Sequence, residues 1–257
     1  MDKKVALITG GATGIGKQTA IQLAAQGYQL AINYRSNTLA AENLVRYLNE
    51  MYGTKHMIIQ GDVAKEGDCE KIVVETAKMF NKIDVLIHNA GPYIHERKSL
   101  TDYRFDEWNY LIQGNLSSTF YLAKQIIPMM RTQKWGRIIT IGFDRVETAP
   151  GWIYRSAFAA AKTGLASLTR TIALEERKNG ITANMISPGD ITSEWKERTI
   201  RDAIAAKENH LEREGTGEDI ARVIAFLVDE KSDFITGSII SATGGIDVLG
   251  KAFRENE

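Results

Sequence analysis

Thr9-Gly10-Gly11-Ala12-Thr13-Gly14-Ile15-Gly16 is the stretch that decides how this chain folds. Its glycines stand at Gly10, Gly14 and Gly16. An apolar run at 5–9 leads into it, short and continuous, as suits a strand buried on both faces. A segment at 14–26 leads out of it, with Ile15, Thr19 and Leu23 recurring at helical spacing. Glycines here let the backbone turn tightly and approach a diphosphate closely. The helix start adds unpaired N–H groups and the positive end of a dipole. Strand, loop and helix come in the order that such a binding turn requires.

Outward from the loop, strand-length apolar runs alternate with helical patterns without a break. Strands are expected at 5–9, 30–33, 57–60, 85–88, 137–141, 182–186 and 238–242. Helices are expected at 14–26, 39–51, 69–80, 105–131, 158–178 and 220–228. The helix at 105–131 carries Trp108, Leu111, Ile112 and Leu116 on a recurring face. This alternation predicts a single Rossmann-type α/β domain over residues 1–257, with a doubly wound parallel sheet of about seven strands flanked by helices. Residues 190–214 are polar with a weak helical pattern and follow a strand end, where such folds place mobile binding segments.

Composition agrees with one sizeable core. The chain has 257 residues, 44% of them apolar and 25% charged, with a formal net charge of zero. A balanced charge argues against nucleic acid or anionic membrane as a partner, and no apolar run is long enough to span a bilayer. One cysteine, Cys69, excludes a disulfide framework and reads as a bystander on a helix. Met1-Asp2-Lys3-Lys4 leads straight into a strand, without a signal peptide. A cytoplasmic protein is expected. The four histidines, His56, His88, His95 and His210, lack metal-ligand spacing, so no metal site is expected.

The end of the second strand bears on which dinucleotide fits. A carboxylate there would hold a ribose 2′-hydroxyl, whereas a cation suits a 2′-phosphate. The chain reads Asn33-Tyr34-Arg35-Ser36, with no acid. Arg35 can fork onto phosphate, with Ser36 and Lys17 as further donors. NADP(H) is therefore preferred to NAD(H).

Six stretches now carry a resemblance that spans nearly the whole chain. They are the 9–16 loop, Gly61-Asp62-Val63, Asn89-Ala90-Gly91, Asn115, Pro188-Gly189 and Ile235-Thr236-Gly237. Together they resemble the short-chain dehydrogenase/reductase family. Pro128-Met129-Met130, the 136–142 strand and Thr243-Gly244-Gly245 look most like its 3-oxoacyl-carrier-protein reductases. The resemblance implies cofactor contacts from Gly10, Thr13, Gly14, Ile15 and Gly16. It lays Asp62 and Val63 against the adenine, and Asn89, Ala90 and Gly91 beside a ribose. Pro188, Gly189, Ile191 and Ser193 would stand near the nicotinamide. It also implies a homotetramer or homodimer, with Leu165, Leu168 and Ile172 packing against their counterparts, and a small-molecule or acyl-thioester substrate if the protein is active.

The family's chemistry rests on an Asn, a Ser, a Tyr and a Lys. The Tyr hydroxyl exchanges a proton with the substrate oxygen, the Lys grips the nicotinamide ribose, the Ser holds the oxygen and the Asn positions a water. Asn115 and Lys162 match. The Tyr position falls on Phe158, four residues before Lys162, and the Ser position on Phe143. A phenyl ring has neither a titratable proton nor a donor. Losing a positioned acid costs roughly 100- to 10,000-fold, and losing an oxyanion donor roughly 100- to 1,000-fold. Two readings follow. Standard carbonyl reduction is lost or strongly impaired while NADP(H) binding survives. Alternatively, an active oxidoreductase uses Tyr154 or Asp144 as a substitute proton donor, or takes a substrate that needs no enzymic acid, such as a protonated imine. Ser156 is a third stand-in, or else a helix cap. Arg131, Lys134 and Arg137 read as a solvated basic group, with attraction of an acidic carrier as the lesser reading.

Overall fold

Every strand of the sheet is parallel, in the order β3-β2-β1-β4-β5-β6-β7. The computed structural model describes residues 3–207 and 212–249. The strands are β1 (Val5–Ile8), β2 (Gln29–Tyr34), β3 (His56–Gln60), β4 (Val85–His88), β5 (Gly136–Ile141), β6 (Ile181–Pro188) and β7 (Ile239–Ala242). The helices are α1 (Gly14–Ala25), α2 (Thr38–Tyr52), α3 (Glu66–Phe80), α4 (Phe105–Ile112), α5 (Ser118–Gln133), α6 (Ser156–Glu176), α7 (Ile200–Ala205) and α8 (Gly217–Val228). The strand order reverses between β1 and β4, and a crevice opens there at the carboxyl ends of the strands. All seven expected strands and five of the six expected helices are present, with ends displaced by no more than a few residues, and the sixth is divided in two.

Two apolar layers sandwich the sheet. One packs α1, α2 and α8 through Leu23, Leu44 and Ile224 against Ile8 and Ile32. The other packs α3 and α5 through Ile72, Ile126 and Met130 against Leu7, Leu86 and Ile138. Every residue of β1 and β4 is buried, which is why these strands read as unbroken apolar runs rather than alternating ones.

Three differences from expectation have local causes. The helix expected at 105–131 is broken into α4 and α5 by one π-helical turn, Gln113–Ser117, around Asn115. Apolar spacing is blind to a single wide turn, and such turns recur at functional sites. The polar segment at 190–214 contains a 3₁₀ turn at Trp195–Glu197 followed by α7. Helix α7 is started by a capping box in which Thr199 Oγ1 accepts from Asp202 N–H and Asp202 accepts from Thr199 N–H. Thr216 and Asp219 start α8 in the same way, three residues before its apolar pattern begins.

The apolar helix faces expected to meet a second copy behave otherwise. Leu165 is fully buried and Ile172 nearly so, each inside the subunit's own core. Arg137 is likewise no surface charge. It is 1% exposed, stacks on Trp135 at 4.4 Å, and donates to the carbonyls of Gly136 and Glu230. Arg131 is paired with Glu176. Cys69 is buried, its Sγ 3.2 Å from Val63 O, and burial pushes its thiol up to about 12.

Candidate active site

The glycine loop folds as its residue types demand. Gly10 and Gly14 have φ of +59° and +58°, a region that L side chains rarely adopt. A Cβ on Gly16 would stand 2.2 Å from Gly10 O, so helix and loop approach as closely as they do only without one. Asn33, at the end of β2, ties the floor together. Its Oδ1 accepts from Gly10 N–H at 3.3 Å, and its amide donates to Gly61 O at 3.0 Å. Asn89, just past β4, donates to Gly10 O at 3.0 Å, while Thr9 Oγ1 accepts from the N–H groups of Asn89 and Ala90.

From this floor a single cleft of about 1110 Å³ runs across the carboxyl ends of the strands. It brings together Gly10, Thr13, Ile15, Arg35, Ser36, Asp62, Val63, Asn89, Ala90, Gly91, Pro188, Gly189, Ile191 and Ser193. Gly14 and Gly16 form the turn and helix start of its loop wall. Arg35 stands at one end, where its guanidinium donates to the Tyr110 hydroxyl, which in turn donates to Asp62 Oδ2 at 3.4 Å. Lys17 is committed elsewhere, to Glu197 at 2.7 Å.

At the other end Lys162 is 3% exposed. Burial lowers its pKa to about 8, and its Nζ donates to Ile141 O at 2.8 Å. Asn115 projects from the π-helical turn, donating to Leu111 O at 3.0 Å and Pro92 O at 2.8 Å. Its buried Oδ1 has no protein partner and lies so close to Gly91 that a Cβ there would be 2.2 Å away. Behind them His88 is fully buried. Its Nε2 lies 2.8 Å from Ser118 Oγ, and burial, with the Lys162 charge adding to it, lowers its pKa to about 3.

One helical turn before Lys162, Phe158 presents its ring 5.7 Å from the ammonium. The rings of Tyr93, Trp152 and Phe143 surround it at centroid distances of 5.0, 5.9 and 6.3 Å. This end of the cleft is therefore walled by aromatic rings, of which only Tyr93 carries a hydroxyl. Asp144 lines the cleft, but its Oδ2 accepts from Val248 N–H at 3.0 Å. Tyr154 lies in the loop before α6 at φ +63° and is not among the residues lining the cleft. Ser156 is the first residue of α6 rather than its cap, and the capping position is Arg155.

Several residues at the site gave no signal in the sequence. Tyr93 is one. Arg155 is another, reaching from the start of α6 to donate to the Tyr93 hydroxyl at 2.6 Å and to the carbonyls of Glu96 and His95. It holds the loop after β4 over Phe158. Tyr110, Trp152 and Glu197 complete the group, and each is brought in by a distant part of the chain. Among the described residues no cluster of His, Cys, Asp or Glu side chains is arranged to hold a metal ion, and no helix is long and apolar enough to cross a membrane. His210 lies outside the described residues.

Comparison with known proteins settles the family. A family model described as "Enoyl-(Acyl carrier protein) reductase" matches residues 10–247. This chain belongs to the short-chain dehydrogenase/reductase family. It is 49% identical over 249 residues to "Putative oxidoreductase YtkK" of Bacillus subtilis, covering 96% of this chain and 97% of that protein. It is 34% identical to the 3-oxoacyl-[acyl-carrier-protein] reductase FabG of Staphylococcus epidermidis, covering 95% and 98%. A solved structure titled "Structure of putative 3-oxoacyl-reductase from bacillus thuringiensis" superposes with a TM-score of 0.90 at 51% identity, over 96% of this chain and 99% of that one. The family binds nicotinamide cofactors, and the glycine cradle and buried Lys162 suit such a group.

Proposed function

We propose that this chain binds NADP(H) as a single-domain short-chain dehydrogenase/reductase in which standard carbonyl reduction is lost or strongly impaired. The observation that carries the reading is the ring of Phe158 beside Lys162, backed by Phe143, where a proton donor and an oxygen-holding hydroxyl would be needed. Arg35 at the mouth of the cleft, with no carboxylate at the end of β2, supports the 2′-phosphate form of the cofactor. In this reading Asn115 and Lys162 are remnants of the family's tetrad, and the glycine loop and the 188–193 stretch hold the dinucleotide. Lys162 grips a ribose hydroxyl, and Arg35 and Ser36 take the phosphate. The protein then serves as a cytoplasmic homotetramer or homodimer, either as a nucleotide-binding module or as an inactive partner in a mixed assembly.

Titration with NADPH and with NADH, followed by protein fluorescence, tests the first half. Saturable quenching is expected, tighter for NADPH. A panel of ketones and β-ketoacyl thioesters tests the second. Turnover at ordinary enzyme rates would refute it.

A second reading keeps the enzyme active through another acid or a substrate that needs none. Asp144 favours it, because its carboxyl lines the cleft beside Phe143. Tyr154 is the weaker stand-in, since it lies off the cleft. Loss of any measured turnover in Asp144→Asn, with NADPH binding retained, would establish this alternative.

A further inference from the structure

Glu197 stands on the glycine loop in the manner of a bound anion. Its Oε1 accepts from the backbone N–H of Gly14 at 3.0 Å, at the first residue of α1. Its Oε2 accepts from Lys17 Nζ at 2.7 Å, and its backbone carbonyl accepts from Gln18 Nε2 at 2.7 Å. These three bonds join the first turns of α1 to a residue more than 170 positions away. The carboxylate is charged there. Burial by itself would raise its pKa, but the Lys17 ammonium and the Gly14 N–H hold it below the ordinary glutamate value.

The contact is built rather than incidental. Lys196 O lies so close to Gly217 that a Cβ there would be 2.0 Å away, which clamps the 3₁₀ turn of Glu197 between α1 and α8. That turn starts from Thr192, whose carbonyl accepts from the N–H groups of Trp195 and Lys196. Thr192 and Ser193 line the same cleft at its nicotinamide end.

We propose that Glu197 is a resident competitor for the dinucleotide's phosphates. This rests on the NADP(H) reading above. A helix N-terminus is the donor an entering diphosphate requires, and the one N–H of Gly14 cannot serve both the Glu197 carboxylate and a phosphate. Two like charges on the exposed rim of the loop also repel, the more so at low salt. The incoming cofactor therefore displaces the Glu197 carboxylate from Gly14, while the Gln18 bond to its carbonyl and the close approach of Lys196 to Gly217 stay in place. Glu197 thus lowers affinity for the nucleotide.

The test is the NADPH dissociation constant of the intact chain, read by tryptophan fluorescence, in Glu197→Gln and in Glu194→Gln. Glu194 is exposed, belongs to the same segment, and changes the net charge equally without touching α1. Glu197→Gln is expected to bind NADPH about tenfold more tightly than the wild type, with Glu194→Gln unchanged. Equal tightening in both variants would reduce the effect to general charge and overturn the proposal. So would an unchanged or weakened affinity in Glu197→Gln, with wild-type binding intact. Absence of NADPH binding in all three proteins would overturn this proposal and the NADP(H) reading together.

Discussion

The two ends of the cleft are built by opposite rules. The phosphate end is polar and tightly bonded. Asn33, Asn89 and Thr9 fasten its backbone, Gly16 stands where no Cβ fits, and Gly10 and Gly14 hold positive φ. The nicotinamide end keeps Lys162 and Asn115, but the wall facing them is made of Phe143, Phe158, Trp152 and Tyr93. One end is bonded backbone and amide, and the other is aromatic, with the Tyr93 hydroxyl taken by Arg155. Binding and chemistry are separable because they draw on different groups: backbone N–H and fixed charge in one case, a titratable proton in the other.

Five substitutions break or sharpen that contrast. The largest effect belongs to the phosphate end. Gly16→Val forces a side chain into Gly10 O, and NADPH affinity should fall by about a thousandfold or beyond detection, measured by fluorescence titration. Melting of the variant by circular dichroism separates lost binding from lost folding. At the other end, Phe158→Tyr restores a phenol one turn from Lys162. It should raise ketone reduction over the wild type by roughly a hundredfold in kcat/KM, and Phe143→Ser on top of it should raise it further. No gain in either variant would overturn the proposal that missing hydroxyls impair carbonyl reduction.

Lys162 lies at the aromatic end, and its burial has a thermodynamic cost. With the folded pKa lowered to about 8 from 10.5, the unfolded chain holds the extra proton between those values. The penalty is present in full below about pH 8 and is relieved as pH rises towards 10.5. Lys162→Met removes a penalty of about 3 kcal/mol and forfeits the bond to Ile141 O, so a net gain of about 2 kcal/mol is expected at neutral pH. Chemical denaturation at pH 7 and pH 10 should show the gain shrinking as pH rises, and the same variant should bind NADPH less well.

The smallest effect lies behind the site. His88 has its pKa lowered from 6.5 to about 3, so folding is undisturbed by it above 6.5 and loses stability as pH falls below that value. At about pH 5.5 the loss is about 1 kcal/mol. His88→Asn should flatten the acid limb of the stability profile by that amount, while leaving the alkaline limb unchanged.

Much of this molecule was legible in its residues. Seven strands, five helices and the order in which they alternate follow from the period of the apolar residues, because strands covered on both faces show as unbroken runs. The glycine loop was legible because glycine's lack of a Cβ is a local property that needs no neighbour to be recognised. Less visible were the starts of α7 and α8, although Thr199 with Asp202 and Thr216 with Asp219 carry the spacing of a capping box.

The sequence alone therefore determined the α/β architecture and the turn of the glycine loop, since each depends on residue type and short-range spacing. Tertiary structure decided the rest. It showed that Leu165, Ile172 and Arg137 are interior, that Tyr154 stands off the cleft, that Tyr93 and Arg155 roof Phe158, and that Glu197 sits on the phosphate loop. Each of these is a meeting of side chains dozens to nearly two hundred positions apart. Periodicity tells which face of an element turns inward, but only the packed fold tells what that face meets.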